Sequence, residues 1–300
     1  MSGRRAWFSI LLGLSMIGAL AMVLSSAPHS LSKIYQGQFS SIAKEARSLK
    51  LLNWNIERGL QMAGIAAAIE SEKPDICILQ EVDLNARRTG HRNVAEELAR
   101  KFQLNYVFGV EFQELSQGSR DAPAYHGQAL LSALPIRSSY VLRFVNQSDF
   151  WQPRWYLPNW QSLQRRLGGR MALVVEIEAG GATFVVYNAH LESRGDENLR
   201  LLQLEEILAD AKDHWPEIPL ILAGDFNTNS HDSPVIKRLG QAGFRSALGT
   251  ETVVTNLKGD SNDWIFVRGP IQFENGKVHH EIVASDHYPI SVSIHSLSGS

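Results

Sequence analysis

The chain has 300 residues, 44% of them hydrophobic and 20% charged, with a formal net charge of -2. That composition excludes a disordered or fibrous chain and suits one large globular domain or two small ones. The near-neutral charge removes any global demand for a nucleic-acid partner, leaving only a local basic patch open, and the single cysteine, Cys77, excludes an intrachain disulfide.

Arg4 and Arg5 precede an uncharged stretch from Ala6 to Leu24, followed by Ser25-Ser26-Ala27. A charged start and a small-residue exit describe a secretory signal. The run also approaches the roughly 20 apolar residues of a spanning helix, and Pro28 hinders cleavage after Ala27. Residues 1–27 are therefore read as a signal peptide or an N-terminal membrane anchor. Either way the arginines favour the cytoplasmic side, so the expectation is a secreted, periplasmic or membrane-anchored protein whose remaining chain lies outside the cytoplasm. Residues 28–47, mixed and polar, read as a linker.

Lys50 to Ile56 reads as a first strand, with Asn53, Asn55 and Glu57 on one face by period-two alternation. Two asparagines on a strand run against propensity, which suggests a site at its end. Ala63 to Glu72 has helical composition and stops at Pro74. Asp75 to Val82 is a strand, and its continuous apolar run implies burial on both faces, with Cys77 a small buried hydrophobe. Asn93 to Phe102 is an amphipathic helix. Tyr106 to Phe112, Gln128 to Leu134 and Tyr140 to Val145 read as strands, with a Gly/Ser/Pro-rich loop from Ser116 to Ala124. Met171 to Glu178 and Thr183 to His190 form a hairpin about Gly180-Gly181, where paired glycines permit positive φ. Asn198 to Asp210 and Ser233 to Gln241 are helices. Pro219 to Ala223, Asp263 to Val267, Val278 to Val283 and Pro289 to Ile294 are strands. Strands predominate and helices intervene, which points to a two-sheet α/β domain over residues 48–297.

Five apolar strands end in polar clusters: Asn53-Trp54-Asn55, Gln80-Glu81, Asn188-Ala189-His190, Gly224-Asp225-Phe226-Asn227 and Ser285-Asp286-His287. Asp263 opens a sixth. A carboxylate directly after branched aliphatics must face water, a metal or a cation, because an unpaired buried charge is costly. Several such tips suggest one shared, oxygen-rich site suited to Mg²⁺ or Mn²⁺. The spacings match no zinc site, no P-loop or dinucleotide fingerprint and no G-x-S-x-G elbow.

In this order the motifs resemble the endonuclease/exonuclease/phosphatase superfamily, over nearly all of residues 50 to 294. The resemblance implies a four-layer α/β/β/α sandwich, two central mixed sheets flanked by helices, and a metal-dependent phosphodiesterase. It implies Glu81 as the main metal ligand with Asn55 and Asp286 beside it. Asp225 orients or deprotonates the attacking water, and Asn227 and Asn188 hold phosphoryl oxygens. His287, polarised by Asp263, binds phosphate or acts as base, and His190 is the leaving-group acid. Relatives that cut at abasic sites carry a tyrosine where His190 falls, so the likeness is nearer to deoxyribonucleases and sphingomyelinases. Glu57 stands where some relatives carry a metal-site acid. Arg170 is a candidate phosphate contact or the member of a surface ion pair, and His279 and His280 read as solvent-facing.

The segment from Phe150 to Trp160, with Arg165-Arg166 beyond it, concentrates three tryptophans, two prolines and several arginines. It reads as a loop packed over the sheet, an interfacial loop dipping into a bilayer or a base-stacking surface. The expected partner is a phosphodiester substrate, either nucleic acid or lipid headgroup. Possible membrane contact is through the N-terminal segment and this loop, and no obligate protein partner is evident. A non-catalytic binding module on the same scaffold is the rival reading.

Overall fold

The computed structural model describes residues 29–40, 48–148, 157, 160–194, 196–214, 218–274 and 276–295. The expected signal or anchor, and all of the Trp-rich segment except Leu157 and Trp160, lie outside the described residues. Among those described, no helix is long and apolar enough to cross a membrane.

Two sheets face each other. The first contains β1 (Ile34–Gly37), β2 (Ser48–Arg58), β3 (Ile76–Leu84), β4 (Asn105–Glu114), β5 (Tyr125–Ser132), β7 (Arg166–Gly168), β13 (Gln272–Phe273), β14 (Lys277–Val278) and β15 (Ile290–His295), in the order β1-β4-β5-β3-β2-β15-β13, with β7 on β4 and β14 on β15. The second runs β11 (Arg245–Ser246), β12 (Asp263–Arg268), β10 (Leu220–Asp225), β9 (Ala182–His190), β8 (Met171–Ala179), β6 (Ile136–Arg143).

Helices α1 (Met62–Glu72) and α2 (Val94–Phe102) cover the outer face of the first sheet, and α3 (Glu197–Ala211) and α4 (Pro234–Gln241) that of the second. Each starts or stops for a local reason. Lys73 takes a left-handed φ of 47° just before Pro74 and ends α1. Asn93, Asp196 and Ser233 accept backbone N–H bonds at the starts of α2, α3 and α4, satisfying donors that a helix start leaves open.

Three apolar layers result. Leu51, Ile78, Leu130, Leu173, Val186 and Ile265 fill the gap between the sheets, and the other two layers lie under the helix pairs. Fully burying one such side chain contributes about 1.5–3 kcal/mol. The sandwich is therefore rigid enough to hold polar strand tips at one end. The pairing of β2 with β3 is parallel, with α1 as the crossover, so both strands deliver their C-terminal ends to the same edge.

Three expectations are corrected. The presumed linker contributes β1, which pairs antiparallel with β4 from Ile34↔Gly109 to Gly37↔Tyr106. Val278 to Val283 is not a strand: β14 stops at Val278, and Ile282 N–H turns back to His279 C=O. His279 is accordingly buried, with Nε2 2.8 Å from Ser291 Oγ, rather than solvent-facing. His280 does lie near the surface, 2.8 Å from Val254 C=O.

Candidate active site

The register of the second sheet sets up a row. Asp225, last in β10, lies opposite His190 on β9 and Asp263 on β12. Gly224 makes this close approach possible. Its φ is +145°, and a Cβ there would lie 1.8 Å from Ala189 C=O. Asp225 Oδ2 is 3.6 Å from His190 Nε2, 3.8 Å from His287 Nε2 and 3.2 Å from Asn55 Nδ2, which donates to it across the gap between sheets. Asp263 Oδ2 lies 2.7 Å from His287 Nδ1 and accepts from Thr255 Oγ1 at 2.8 Å. Asn227, at φ 51°, donates its N–H to Asp225 Oδ1 at 3.0 Å and its amide to Leu191 C=O.

The first sheet supplies acids through two irregularities. The β2–β3 register shifts between Asn55 and Arg58, and the β3–β5 register between Leu79 and Val82. Glu57, Arg58 and Glu81 take φ values of 44°, 69° and 50° there. Left-handed backbone at such residues costs on the order of 1–3 kcal/mol each and persists where surrounding structure enforces it. Here it forms bulges at Glu57 and Glu81, beyond which the ladder resumes at Arg58↔Val82 and Val82↔Gly127. The loop before β15 is tied to the same place: Ser285 Oγ donates to Asn55 C=O at 2.6 Å, and Trp54 Nε1 to His287 C=O at 2.8 Å. Burial, followed by the charge of Asp286, raises the Glu57 carboxyl; Arg58 opposes this and Glu81 adds to it. The three acids therefore lie within electrostatic reach of one another.

These donors fit a hard divalent cation. Glu57, Glu81, Asp286 and the Asn55 amide offer oxygen donors of the kind such a cation takes, and the only side chain ion-paired with Glu81 among the described residues is Arg58, at 3.1 Å. The burial of Glu81 pushes its carboxyl up, but Arg58, His126, Arg170 and His287 together hold it below the usual carboxylate range, so it stays ionised. A second group, Asp225, Asp263 and His287, has its ligand atoms within 4.8 Å of one another. It is better described as a proton-handling set, because the His287 ring is already engaged with both carboxylates.

Burial would lower His287, yet Asp263, then Asp225 and Asp286, lift it to about 10. Burial and the charge of Asp263 raise Asp225. His190 behaves oppositely. It is 2% exposed, and burial, then Arg170, His126 and His287, force its pKa well below the ordinary value. A ring held neutral at pH 7 suits a hydrogen-bond donor better than the acid the motif suggested.

Two expected phosphate contacts are engaged elsewhere. Asn188 is wholly buried: its Nδ2 donates to Leu79 and Ala129 C=O at 2.9 Å each, and its Oδ1 accepts from Gln80 Nε2 at 2.8 Å. With Asn53 it clamps the sheets together beneath the acids. Arg170 is buried with Nη1 2.7 Å from Glu111 Oε1 and Nη2 2.9 Å from Ser193 Oγ, so its ion pair is internal rather than at the surface. Thr255, which orients Asp263, had no local sequence signal.

Such a sandwich, with acids, amides and an Asp–His pair at one end, carries the kinds of group that hydrolysis of a phosphate ester uses. The chain belongs to the Endonuclease/Exonuclease/phosphatase family, whose model matches residues 52–287; the family is divalent-metal dependent. No curated protein sequence matches it significantly. Among solved structures it is similar to the human Nocturnin catalytic domain with bound sulfate anion (17% identity, 90% of this chain and 98% of that one, TM-score 0.65). It is also similar to an endonuclease/exonuclease/phosphatase from Beutenbergia cavernae (20%, 83% and 72%, TM-score 0.59). A humanized D. rerio TDP2 carrying 14 mutations has 17% identity over 84% and 100%, with TM-score 0.58. At these identities the likeness establishes the fold alone.

Proposed function

We propose that the protein is a Mg²⁺- or Mn²⁺-dependent phosphodiester hydrolase acting outside the cytoplasm, with nucleic acid as its substrate. The observation that carries the reading is the convergence of two sets at one mouth: acids on the first sheet, and the His190–Asp225–Asp263 row with His287 on the second. Glu81, Asp286 and Asn55, with Glu57 beside them, would hold the cation. When bound, it neutralises charge on the nonbridging phosphoryl oxygens. Asp225, raised by burial and by Asp263, takes a proton from the attacking water. Asp263 fixes the His287 ring, which donates to a phosphoryl oxygen as an imidazolium. Asn227 and neutral His190 donate further hydrogen bonds.

The nucleic-acid assignment is supported by local charge beside the mouth. The loop after β3 carries exposed Arg87 and Arg92, and a cavity of about 630 Å³ is lined by Gly59–Gly64, Arg88 and Arg92. The rival substrate, a phospholipid headgroup ester, draws on the apolar N-terminal stretch and the Trp-rich segment. With Mg²⁺, turnover of single-stranded DNA and bis-p-nitrophenyl phosphate but not sphingomyelin supports the proposal. Sphingomyelin turnover alone moves the substrate to lipid, and no turnover by folded protein leaves a binding module.

A further inference from the structure

We infer that His126 is a further catalytic residue of this site, and that its Nε2 protonates the leaving oxygen on the flank opposite Asp225 and His287. The inference rests on the phosphodiesterase reading above and adds to it the proton donor for departure.

Position comes from register. β5 runs antiparallel to β3 with His126 opposite Asp83, so the start of β5 lies at the tip of β3, two residues beyond Glu81. Alternation puts His126 on the face that also carries Gln128. Gln128 Nε2 lies 3.4 Å from Glu111 Oε2 and 3.4 Å from Met171 C=O, reaching into the gap between the sheets. His126 thus faces the open end of that gap. In the first sheet β5 and β15 flank the metal-site strands, in the order β5-β3-β2-β15. The Glu81 and Asn55 tips are therefore straddled by His126 on one side and His287 on the other.

The ring is held as a catalytic histidine is held. Nδ1 is 3.0 Å from Asp83 Oδ1 and must carry a hydrogen, since a carboxylate only accepts. Asp83 is itself gripped by Arg88 through Nε at 2.6 Å and Nη2 at 2.7 Å, and Phe112 stacks on the ring at 6.3 Å. His126 is 5% exposed, and Nε2 makes no hydrogen bond among the described residues. The charged groups around it are Asp83 and Glu81 on β3, Arg88 on the following loop, Glu111 and Glu114 on β4, Arg166 on β7 and Arg170 just before β8. The arrangement repeats the Asp263–His287 pair on the far flank.

In-line displacement puts the entering and departing oxygens on opposite sides of phosphorus. Water bonds to phosphorus and yields its proton to Asp225. The bond to the leaving oxygen breaks with its electron pair on that oxygen, which takes the proton from the Nε2 of a His126 imidazolium, and solvent restores it. Asp83 stabilises the charged ring through Nδ1.

The test compares leaving groups in the full chain with Mg²⁺. One substrate is bis-p-nitrophenyl phosphate, whose leaving group needs no proton. The other is whichever alkoxide-leaving diester the wild type turns over, a thymidine dinucleotide or sphingomyelin. His126→Gln is expected to lower kcat on the alkoxide substrate about 100-fold or more, to change the aryl substrate less than about fivefold, and to leave KM within about twofold. Asp83→Asn is expected to give the same pattern more weakly, and it serves as the test if the first variant does not fold. Equal slowing of both substrates, or of neither, overturns the inference while leaving the phosphodiesterase reading intact. A wild type that hydrolyses neither refutes both.

Discussion

Asp263→Asn probes how the second sheet manages protons. In the metal-free protein, His287 rises from 6.5 to about 10, chiefly because Asp263 Oδ2 sits 2.7 Å from its Nδ1 against the pull of burial. That rise corresponds to on the order of 5 kcal/mol at about 1.36 kcal/mol per pH unit. The sign follows from linkage. A raised histidine contributes stability that is full below about pH 6.5 and is lost as pH climbs toward 10. Asp225, also raised, contributes in the same direction, losing stability as pH rises from about 4. Urea unfolding in EDTA at four pH values between 6.5 and 9.5 should give a wild-type slope approaching about -1.4 kcal/mol per pH unit. In the variant the His287 pKa falls toward neutrality, so the slope above pH 8 flattens. An NMR titration of the ring checks the assignment. Parallel slopes in the two proteins, or a wild-type ring titrating near 6.5, would refute the reasoning.

Other expectations are narrower. Asn188→Ala should destabilise the fold by about 2–4 kcal/mol, because two buried carbonyls and Gln80 lose a partner. Its KM should stay near wild type; a stability loss below about 0.5 kcal/mol with a raised KM would restore the phosphate role. Arg170→Gln strands Glu111 as a buried charge and should cost about 3–5 kcal/mol, with Arg170→Gln/Glu111→Gln milder; additivity of the two single variants in denaturation would disprove the pairing. His190→Ala should slow aryl and alkyl diesters alike, as befits a neutral donor; selective slowing of alkyl esters would return it to the role of acid.

The acid tips were legible because each follows an uninterrupted apolar run. Asp225 could be placed at a strand end from Leu220–Ala223 alone, whereas β3 runs past Glu81 to Leu84, so Glu81 sits at a bulge and not at the end expected from Ile76–Leu79. What could not be read is what neighbouring strands decide. Ile34–Gly37 is a four-residue edge strand whose partner lies about 70 positions on, so nothing nearby distinguishes it from a tether. The left-handed backbone at Glu57 and Glu81 arises from register shifts against two different strands. Nothing local in the sequence told that Asn188 and Arg170 are buried by contacts to the other sheet. His126 did carry a signal: Asp83 closely follows Glu81, and a histidine before Gly127 heads a buried strand. Only the pairing of β3 with β5 joins those two facts.

The central claim is that the acids at the tips of β2 and β3 and in the loop before β15 form one divalent-cation site. Equilibrium binding of Mn²⁺, followed by electron paramagnetic resonance of the free ion, tests it without assuming any substrate. Wild type should retain Mn²⁺ that Mg²⁺ displaces, and Glu81→Ala should bind at least about tenfold more weakly with its melting temperature preserved. Equal Mn²⁺ affinity in the two proteins would contradict the account.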